Sequence, residues 1–568
     1  MPDDAVVLCD RGVVGRTDKS AEVDRVGGIA MLLVNKTPSS VDLDEHVIPT
    51  VHVDAEGYTA LHAYAATEGA TVTLLDGNPD ALPEPATPQI AGFSSRGPVT
   101  ADGGNLLKPD ISAPGVAILA DGANAAGEEG SYEFLSGTSM SSPHIAGLAA
   151  LYLSAHPDWS PSEVKSAMMT TAYDLVGADG RPNRDVFAQG AGHVDPTRFL
   201  DPGLLYENGP DQWQAYVDSI GTVEGTDSSM NLPSISVGSL AGTATVTRTV
   251  TATGAGTYTA APVEMPGVSV EVSPSTLSFA QEGEKKEYSV TFTRTTAALD
   301  EFATGHLTWS DGSHDVRSPL AVRPVQLDAA SEISGEGASG EAALDVTAGD
   351  ALTLPLETEG LVEGSVATGS GTAGGEPALV PLTVAEGTTH GRFVLDSADD
   401  TADLDLLLYS ADEAGEPDTL VDYAATGSAD EQLDVEAPEA GSYVLMVDFY
   451  SGAGDLGYTL TSYLLDPAQA VGGFAVDPAT LDAALGETTT VTTSWSGLDY
   501  DSSYLGRVSY GDTGTVTYVT VASGAEPEPE EPPTEPGTPG HGWDLGAILD
   551  WIWNAIGGLI HHWWPRWR

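Results

Sequence analysis

Hydrophobic residues recur along this chain with two different periods, and the change of period divides it. From about residue 5 to 80, short apolar runs alternate with amphipathic stretches. Val6-Val7-Leu8 predicts a short strand. Asp18 to Val26 predicts a helix capped by Asp18 and stopped at Gly27-Gly28, and Ile29 to Val34 a continuous apolar strand. Ile48 to Val53 reads as another strand, Asp54 to Gly69 as a second helix and Thr71 to Leu75 as a further strand. Farther on, Ile145, Leu148, Ala149, Leu151 and Tyr152 are spaced as the buried face of a helix. Ser160-Pro161-Ser162-Glu163 has the spacing of a capping box with proline in the first turn, opening a helix that runs through Thr171. Beyond about 206 the period falls to two: Thr243 to Thr251, Val268 to Val272 and Glu287 to Thr293 alternate, with Gly and Pro between them. The pattern predicts a multidomain chain, α/β at the front and antiparallel β-sandwich behind.

Composition narrows the partners. A chain of 568 residues is long enough for several domains, each with its own core. Lys and Arg number 21 against 84 Asp and Glu, a net charge of -63, which repels nucleic acid and anionic lipid at long range and excludes nucleic-acid partners. An acid-rich surface suits a soluble secreted protein. Cys9 is the sole cysteine, so no intrachain disulfide forms, and a small buried side chain is expected there rather than a reactive thiol. The Gly/Ala/Glu-rich stretch 329–345 predicts a linker. A Pro/Glu-rich spacer, 524–542, leads to a tail, 543–568, that carries six of the ten tryptophans. Trp543, Ile548, Trp551, Ile552, Ala555, Ile556 and Leu559 fall at helical spacing, but Asp544 and Asp550 interrupt the run and leave it too short to span a bilayer. Two readings of this tail stand side by side. One is a cell-surface or membrane-interface anchor, with His561, His562, Arg566 and Arg568 facing an anionic surface; the other is a segment that docks on the chain's own β-modules.

The chemistry concentrates in Gly137-Thr138-Ser139-Met140-Ser141-Ser142-Pro143-His144. Gly137 stands before Ser139, Gly147 beyond it, and Pro143 suits a first-turn position. A serine at the start of a helix meets free backbone N–H groups and the positive end of the dipole, which favour a developing oxyanion. The same spacing also fits an ordinary Ser/Thr helix cap.

The flanking motifs bear on that choice. Phe93-Ser94-Ser95-Arg96-Gly97-Pro98, Lys108-Pro109-Asp110-Ile111-Ser112-Ala113-Pro114-Gly115 and the Ser139 stretch follow one another in order. Gly190-Ala191-Gly192-His193-Val194-Asp195-Pro196 and Asp201-Pro202-Gly203-Leu204-Leu205-Tyr206 come next. Together they resemble the subtilisin-like serine proteases, in particular the large subtilases with a protease-associated domain inserted ahead of the serine. The resemblance implies a serine endopeptidase that acts on polypeptides through an acyl-enzyme. Ser139 would be the nucleophile, with Thr138 and the Ser139 N–H helping to hold the oxyanion. It also implies an extracellular or cell-surface protein. The Asp-Thr-Gly-type motif, the His-Gly-Thr motif and the oxyanion Asn that precede the serine in this family have no match between Met1 and Ser139. His46, His52 and His62 lack a following Gly-Thr, Asn124 sits in a Gly/Ala loop, and His144 belongs to the serine motif itself. Asp512-Thr513-Gly514 matches literally but reads as a turn between strands. The chain is therefore expected to be inactive alone. The absence of any signal-like n-region at Met1 fits a chain that has lost its front end, with the missing motifs encoded upstream. A catalytically inactive peptide- or surface-binding protein, or a fragment of a split subtilase gene, are the alternatives.

By the same resemblance, 1–80 corresponds to a protease-associated domain and 81–205 to the rear of the catalytic domain, with a partial parallel sheet and its helices. Residues 206–328 are similar to a fibronectin type III-like sandwich, and 346–523 to pre-peptidase C-terminal jelly-roll modules. Asp403 and Asp405 alternate with apolar residues and share one face. Ca²⁺ takes six to eight oxygens, so this pair reads as a solvated strand face or as part of a Ca²⁺ site, and no other cofactor is expected.

Overall fold

In the computed structural model, residues 4–37, 39, 41, 44–75, 86–124, 127, 130–177, 179–219 and 230–526 are described. The tryptophan-rich tail, and with it the surface-contact expectation, lies outside the described residues, as does nearly all of the Pro/Glu spacer. No described helix is long and apolar enough to cross a membrane.

The front of the chain alternates as its pattern predicts. β1 (Val6–Asp10), β2 (Ala30–Val34) and β3 (Thr50–Val53) form a parallel sheet in that order, with Val6 opposite Ala30 and Met31 opposite Thr50. Cys9 is half-buried on β1, and burial pushes its thiol up. α1 (Arg16–Arg25) begins two residues ahead of the expected cap. Gly15 is its N-cap, and Asp18 sits in the first turn, where a carboxylate faces the positive end of the dipole. Asp54 accepts from the Ala55 N–H and opens a short 3₁₀ turn that leads into α2 (Tyr58–Ala65). The stretch Thr71 to Leu75 forms no strand and is largely exposed. The core here is small: Val23, Met31 and Leu33 are buried, with Val7, Cys9 and Ile48 packed against them.

The next segment is a hairpin, β4 (Ile118–Asp121) with β5 (Tyr132–Leu135), followed by α3 (Thr138–Ala155), α4 (Pro161–Thr170) and α5 (Val186–Gln189). The capping box of α4 is formed in full. The Ser160 hydroxyl accepts from the Glu163 N–H, and the Glu163 carboxylate accepts from the Ser160 N–H.

From Leu204 the chain is built of sandwiches. β6 (Leu204–Leu205) precedes α6 (Pro210–Ser219); β7 (Ile235–Leu240), β8 (Thr243–Ala252), β9 (Gly256–Ala260) and β10 (Val268–Ser273) follow. β11 (Thr276–Phe279), β12 (Lys285–Arg294), β13 (Ala303–Ser310) and β14 (Asp315–Pro324) complete the set. One sheet runs β10-β12-β8-β6 and the other β11-β9-β13-β14-β7. Trp309 is fully buried between them, edge-on to Tyr288 at 5.0 Å.

The stretch 329–345 is not a linker. β15 (Leu327–Ala329), β16 (Glu332–Glu336), β17 (Gly340–Ala348) and β18 (Leu352–Glu363) are strands of a second sandwich. Its other half is β27 (Gly473–Asp477), β28 (Thr480–Ala483), β29 (Thr488–Ser496), β30 (Ser503–Tyr510) and β31 (Val516–Ala522). The sheets run β15-β17-β29-β27 and β16-β31-β30-β18-β28. The glycines that resemble linker composition make room for one ring. A Cβ on Gly335 or Gly340 would stand 2.1 or 2.6 Å from the Trp495 ring, whose indole N–H donates to the Gly337 carbonyl at 3.0 Å. Asp512-Thr513-Gly514 forms the turn from β30 to β31.

A third sandwich is inserted between β18 and β27. It contains β19 (Ser365–Gly371), β20 (Ala378–Val384), β21 (His390–Ser397), β22 (Asp403–Ala411), β23 (Pro417–Ala424), β24 (Glu431–Glu436), β25 (Gly441–Ser451) and β26 (Leu456–Leu465), in sheets β19-β26-β21-β24 and β20-β25-β22-β23. Charged pairs join it to its host. Arg392 on β21 reaches Glu332 on β16 at 2.8 Å, and Arg507 on β30 reaches Glu436 on β24 at 3.2 Å. Burial would raise the Asp434 carboxyl, but His390 and Arg392 outweigh it and hold the group at about 2.

Candidate active site

Ser139 lies where the sequence places it, in the first turn of α3, with Thr138 beside it, and both are exposed. The loop 113–115 seats this helix end. The Gly137 N–H donates to the Gly115 carbonyl at 2.8 Å, and the Ser141 hydroxyl donates to the Ala113 carbonyl at 3.0 Å. The approach is close enough that a Cβ on Gly115 would stand 2.3 Å from the Ser141 Oγ. The first N–H groups of a helix, here those of Thr138 and Ser139, have no intrahelical acceptor.

Pro143 departs from the expectation. The helix starts at Thr138, so Pro143 is its sixth residue, beyond the first turn. A proline there has no N–H to give the carbonyl four residues back, which is that of Ser139. The buried face is also narrower than predicted. Tyr152 is fully buried, Ile145, Leu148 and Ala149 are partly buried, and Leu151 is 60% exposed.

The flanking motifs assemble into one support. The Ser112 N–H donates to Gly192 and the Val194 N–H to Ser112, so the 108–115 and 190–196 stretches run side by side. Gly97 donates to Phe187 and Ala191 to Asp110. Asp110 is clamped by Lys108 at 2.6 Å and Lys165 at 2.9 Å. Burial would raise its carboxyl, but the two ammonium groups hold it below the usual range. Lys165 carries no motif signal, and only folding brings it here. The 201–206 motif supplies β6 to the first sandwich. Tyr206 is fully buried there, its hydroxyl 2.7 Å from that of Tyr288.

That junction is also polar. Arg317 on β14 pairs with Asp174, which also holds Arg184 at 3.0 Å, and contacts His306 at 2.7 Å. Burial, followed by the Arg317 charge, pushes the His306 imidazole down to about 4. A pocket of about 790 Å³ opens beside this group, lined by Glu264, Glu301, Phe302 and His306 among others, away from Ser139.

The other residues singled out in the sequence lie elsewhere. The His144 ring is 2.8 Å from the Met140 carbonyl of its own helix. Asn124 closes the loop between β4 and β5 by bonding Gly122 and Ser131. His62 pairs with Asp10 at 2.7 Å, and His46 with His52 at 2.8 Å. Among the described residues no imidazole is hydrogen-bonded to the Ser139 hydroxyl. Asp403 and Asp405 share β22 with Asp448 opposite Asp405. Burial and then these like charges push the Asp405 carboxyl up.

Residues 17–192 match the subtilase family, and residues 229–322 match a fibronectin type-III domain. Two Arabidopsis thaliana proteins, subtilisin-like proteases SBT1.7 and SBT1.3, are each 36% identical over 360 residues. The alignments cover 56% of this chain and 47% and 46% of those proteins. The chain thus spans about half the length of these relatives. Among solved structures, tripeptidyl peptidase 2 aligns with 95% of this chain and 57% of its own at 10% identity, with a TM-score of 0.23.

Proposed function

We propose that this chain, a subtilase-family segment joined to a fibronectin type-III domain, carries the nucleophile-bearing part of a subtilisin-like serine endopeptidase. The observation that carries the reading is the placement of Ser139, exposed in the first turn of α3 and seated by the 108–115 loop. In acyl transfer the Ser139 hydroxyl attacks the scissile carbonyl, and the carbonyl oxygen takes up negative charge. The Ser139 N–H, the Thr138 side chain and the helix dipole face that charge. A serine hydroxyl is a weak nucleophile until a base, itself oriented by a carboxylate, accepts its proton. The chain has no Asp-Thr-Gly or His-Gly-Thr motif ahead of Ser139, and the His144 ring faces its own helix. Peptidase activity therefore calls for a segment that brings those groups. Its substrates are polypeptides and its place of action is outside the cell, where an acid-rich surface suits solubility. The parallel unit β1–β3 with its two helices is the protease-associated domain of this reading, and it restricts access to the serine without chemistry of its own.

The test joins the full chain to a front segment bearing the Asp and His motifs and follows hydrolysis of an unstructured polypeptide. The joined protein is expected to turn over substrate, the chain alone is not, and Ser139→Ala should lower turnover by roughly 10⁴- to 10⁶-fold. Turnover that survives Ser139→Ala would overturn the assignment of the nucleophile. Turnover by the chain alone that is lost in Ser139→Ala would show that a local base serves it.

A further inference from the structure

Two histidines set aside by the serine chemistry meet in the front unit. His46, in the stretch entering β3, and His52, on β3, place their Nε2 atoms 2.8 Å apart, the rings nearly perpendicular at 71°. Asp44 Oδ2 lies 3.9 Å from the first and 3.7 Å from the second. All three side chains are close to buried, at 7, 11 and 12% exposure for His46, His52 and Asp44. The point equidistant from the three donor atoms lies about 2 Å from each, which is the bond length of Zn²⁺ to imidazole nitrogen and carboxylate oxygen. We propose that Asp44, His46 and His52 form a divalent-cation site of the Zn²⁺ class, with three protein ligands and one open position.

The donor set fits that class: two imidazoles and a carboxylate suit a borderline cation, whereas a hard one such as Ca²⁺ wants oxygens alone. The polar accounting points the same way. Asp44 Oδ2 is buried without a directed hydrogen bond, although Arg16 Nε is 2.7 Å away. Buried carboxylate oxygens ordinarily have a directed partner, and a cation would supply one here while taking the place of the hydrogen bond between the two Nε2 atoms. Arg16 is the outer partner. It donates to Asp44 Oδ1 at 2.8 Å and fixes the carboxylate, as groups around a metal commonly fix its ligands. The ion would tie the stretch before β3 to β3 itself. The unit it sits in has a small core built around Val23, Met31 and Leu33, and the chain has one cysteine, so no disulfide can brace it. A metal cross-link contributes most where the core is small.

The experiment titrates the full chain, stripped of metal, with Zn²⁺ against a chromogenic chelator. One tight equivalent is expected, and His46→Gln and His52→Gln should each weaken it by at least about 100-fold, the upper end of what removing a mere support of a ligand costs. The many surface carboxylates bind cations weakly, so a tight equivalent that is untouched by both substitutions would overturn the site, as would no tight equivalent at all. Zinc X-ray absorption on the unsubstituted chain decides the matter even if the variants misfold. Two imidazole nitrogens in the ligand shell are expected, and a shell of oxygens alone would overturn the proposal.

Discussion

α3 and α4 are neighbours in sequence and in space, yet they are finished to different degrees. Of the 10 residues of α4, Ser162, Val164, Ser166, Ala167, Met168, Met169 and Thr170 are buried. Of the 18 residues of α3, Tyr152 alone is buried. α4 packs against α3, β6 and β14, so the first sandwich closes over it. α3 leaves Leu151 and Leu153 exposed, and Tyr132, Phe134 and Leu135 of the adjoining hairpin are exposed as well. A helix that is apolar on several faces belongs in an interior. The contrast separates a helix that this chain covers from one that it leaves largely exposed, and the serine helix is the exposed one.

The widest gap between the two helices should show in stability. Met168→Ala removes a buried side chain from α4 and should destabilise the protein by about 2–5 kcal/mol, read as a lower urea midpoint. An unchanged midpoint would mean that α4 is not the packed element described.

The junction that closes over α4 should also respond to acid. The folded His306 titrates at about 4 against an ordinary 6.5, so the unfolded chain binds the proton first as pH falls. Stability is therefore present in full above about 6.5 and is lost between 6.5 and about 4, by roughly 3 kcal/mol at most. Urea midpoints at pH 7.5 and 5 should differ in the natural chain, and the difference should narrow in His306→Gln. Equal slopes in both proteins would remove His306 from the explanation.

A smaller effect is expected at the seat of the serine. Gly115→Ala pushes a methyl against the Ser141 Oγ and the Gly137 carbonyl and should cost about 1–3 kcal/mol locally. Faster hydrogen exchange confined to the start of α3 is the expected sign. The least effect should come from the exposed face: Leu151→Gln should change the stability of this chain by less than about 0.5 kcal/mol. A large loss there would erase the contrast between the helices.

Much of this architecture was legible in the chain. The capping box at Ser160 rests on contacts within a few residues, and the apolar runs of β1 to β3 and the period-two alternation behind Tyr206 are local patterns, although their pairing is not. The placement of Ser139 in the first turn of a helix was legible for the same reason. Pro143 was misplaced by one turn because the helix begins at Thr138, just after Gly137, whose N–H donates to the Gly115 carbonyl. The strand expected at Thr71 to Leu75 has the right residues but no partner among the described residues, and a strand is defined by its partner.

By itself, then, the sequence determined the order of α/β and β regions, the serine motif and its flanking motifs, and the strong acidity. Each of these is written in neighbouring residues or in bulk composition. Tertiary structure alone decided that 329–345 is sheet, because β17 pairs with β29 about 150 residues away and the glycines there yield to the Trp495 ring. It also brought Lys165 to Asp110 and Arg317 to Asp174. These contacts depend on chain closure over tens to hundreds of residues, and no local period or composition carries that information.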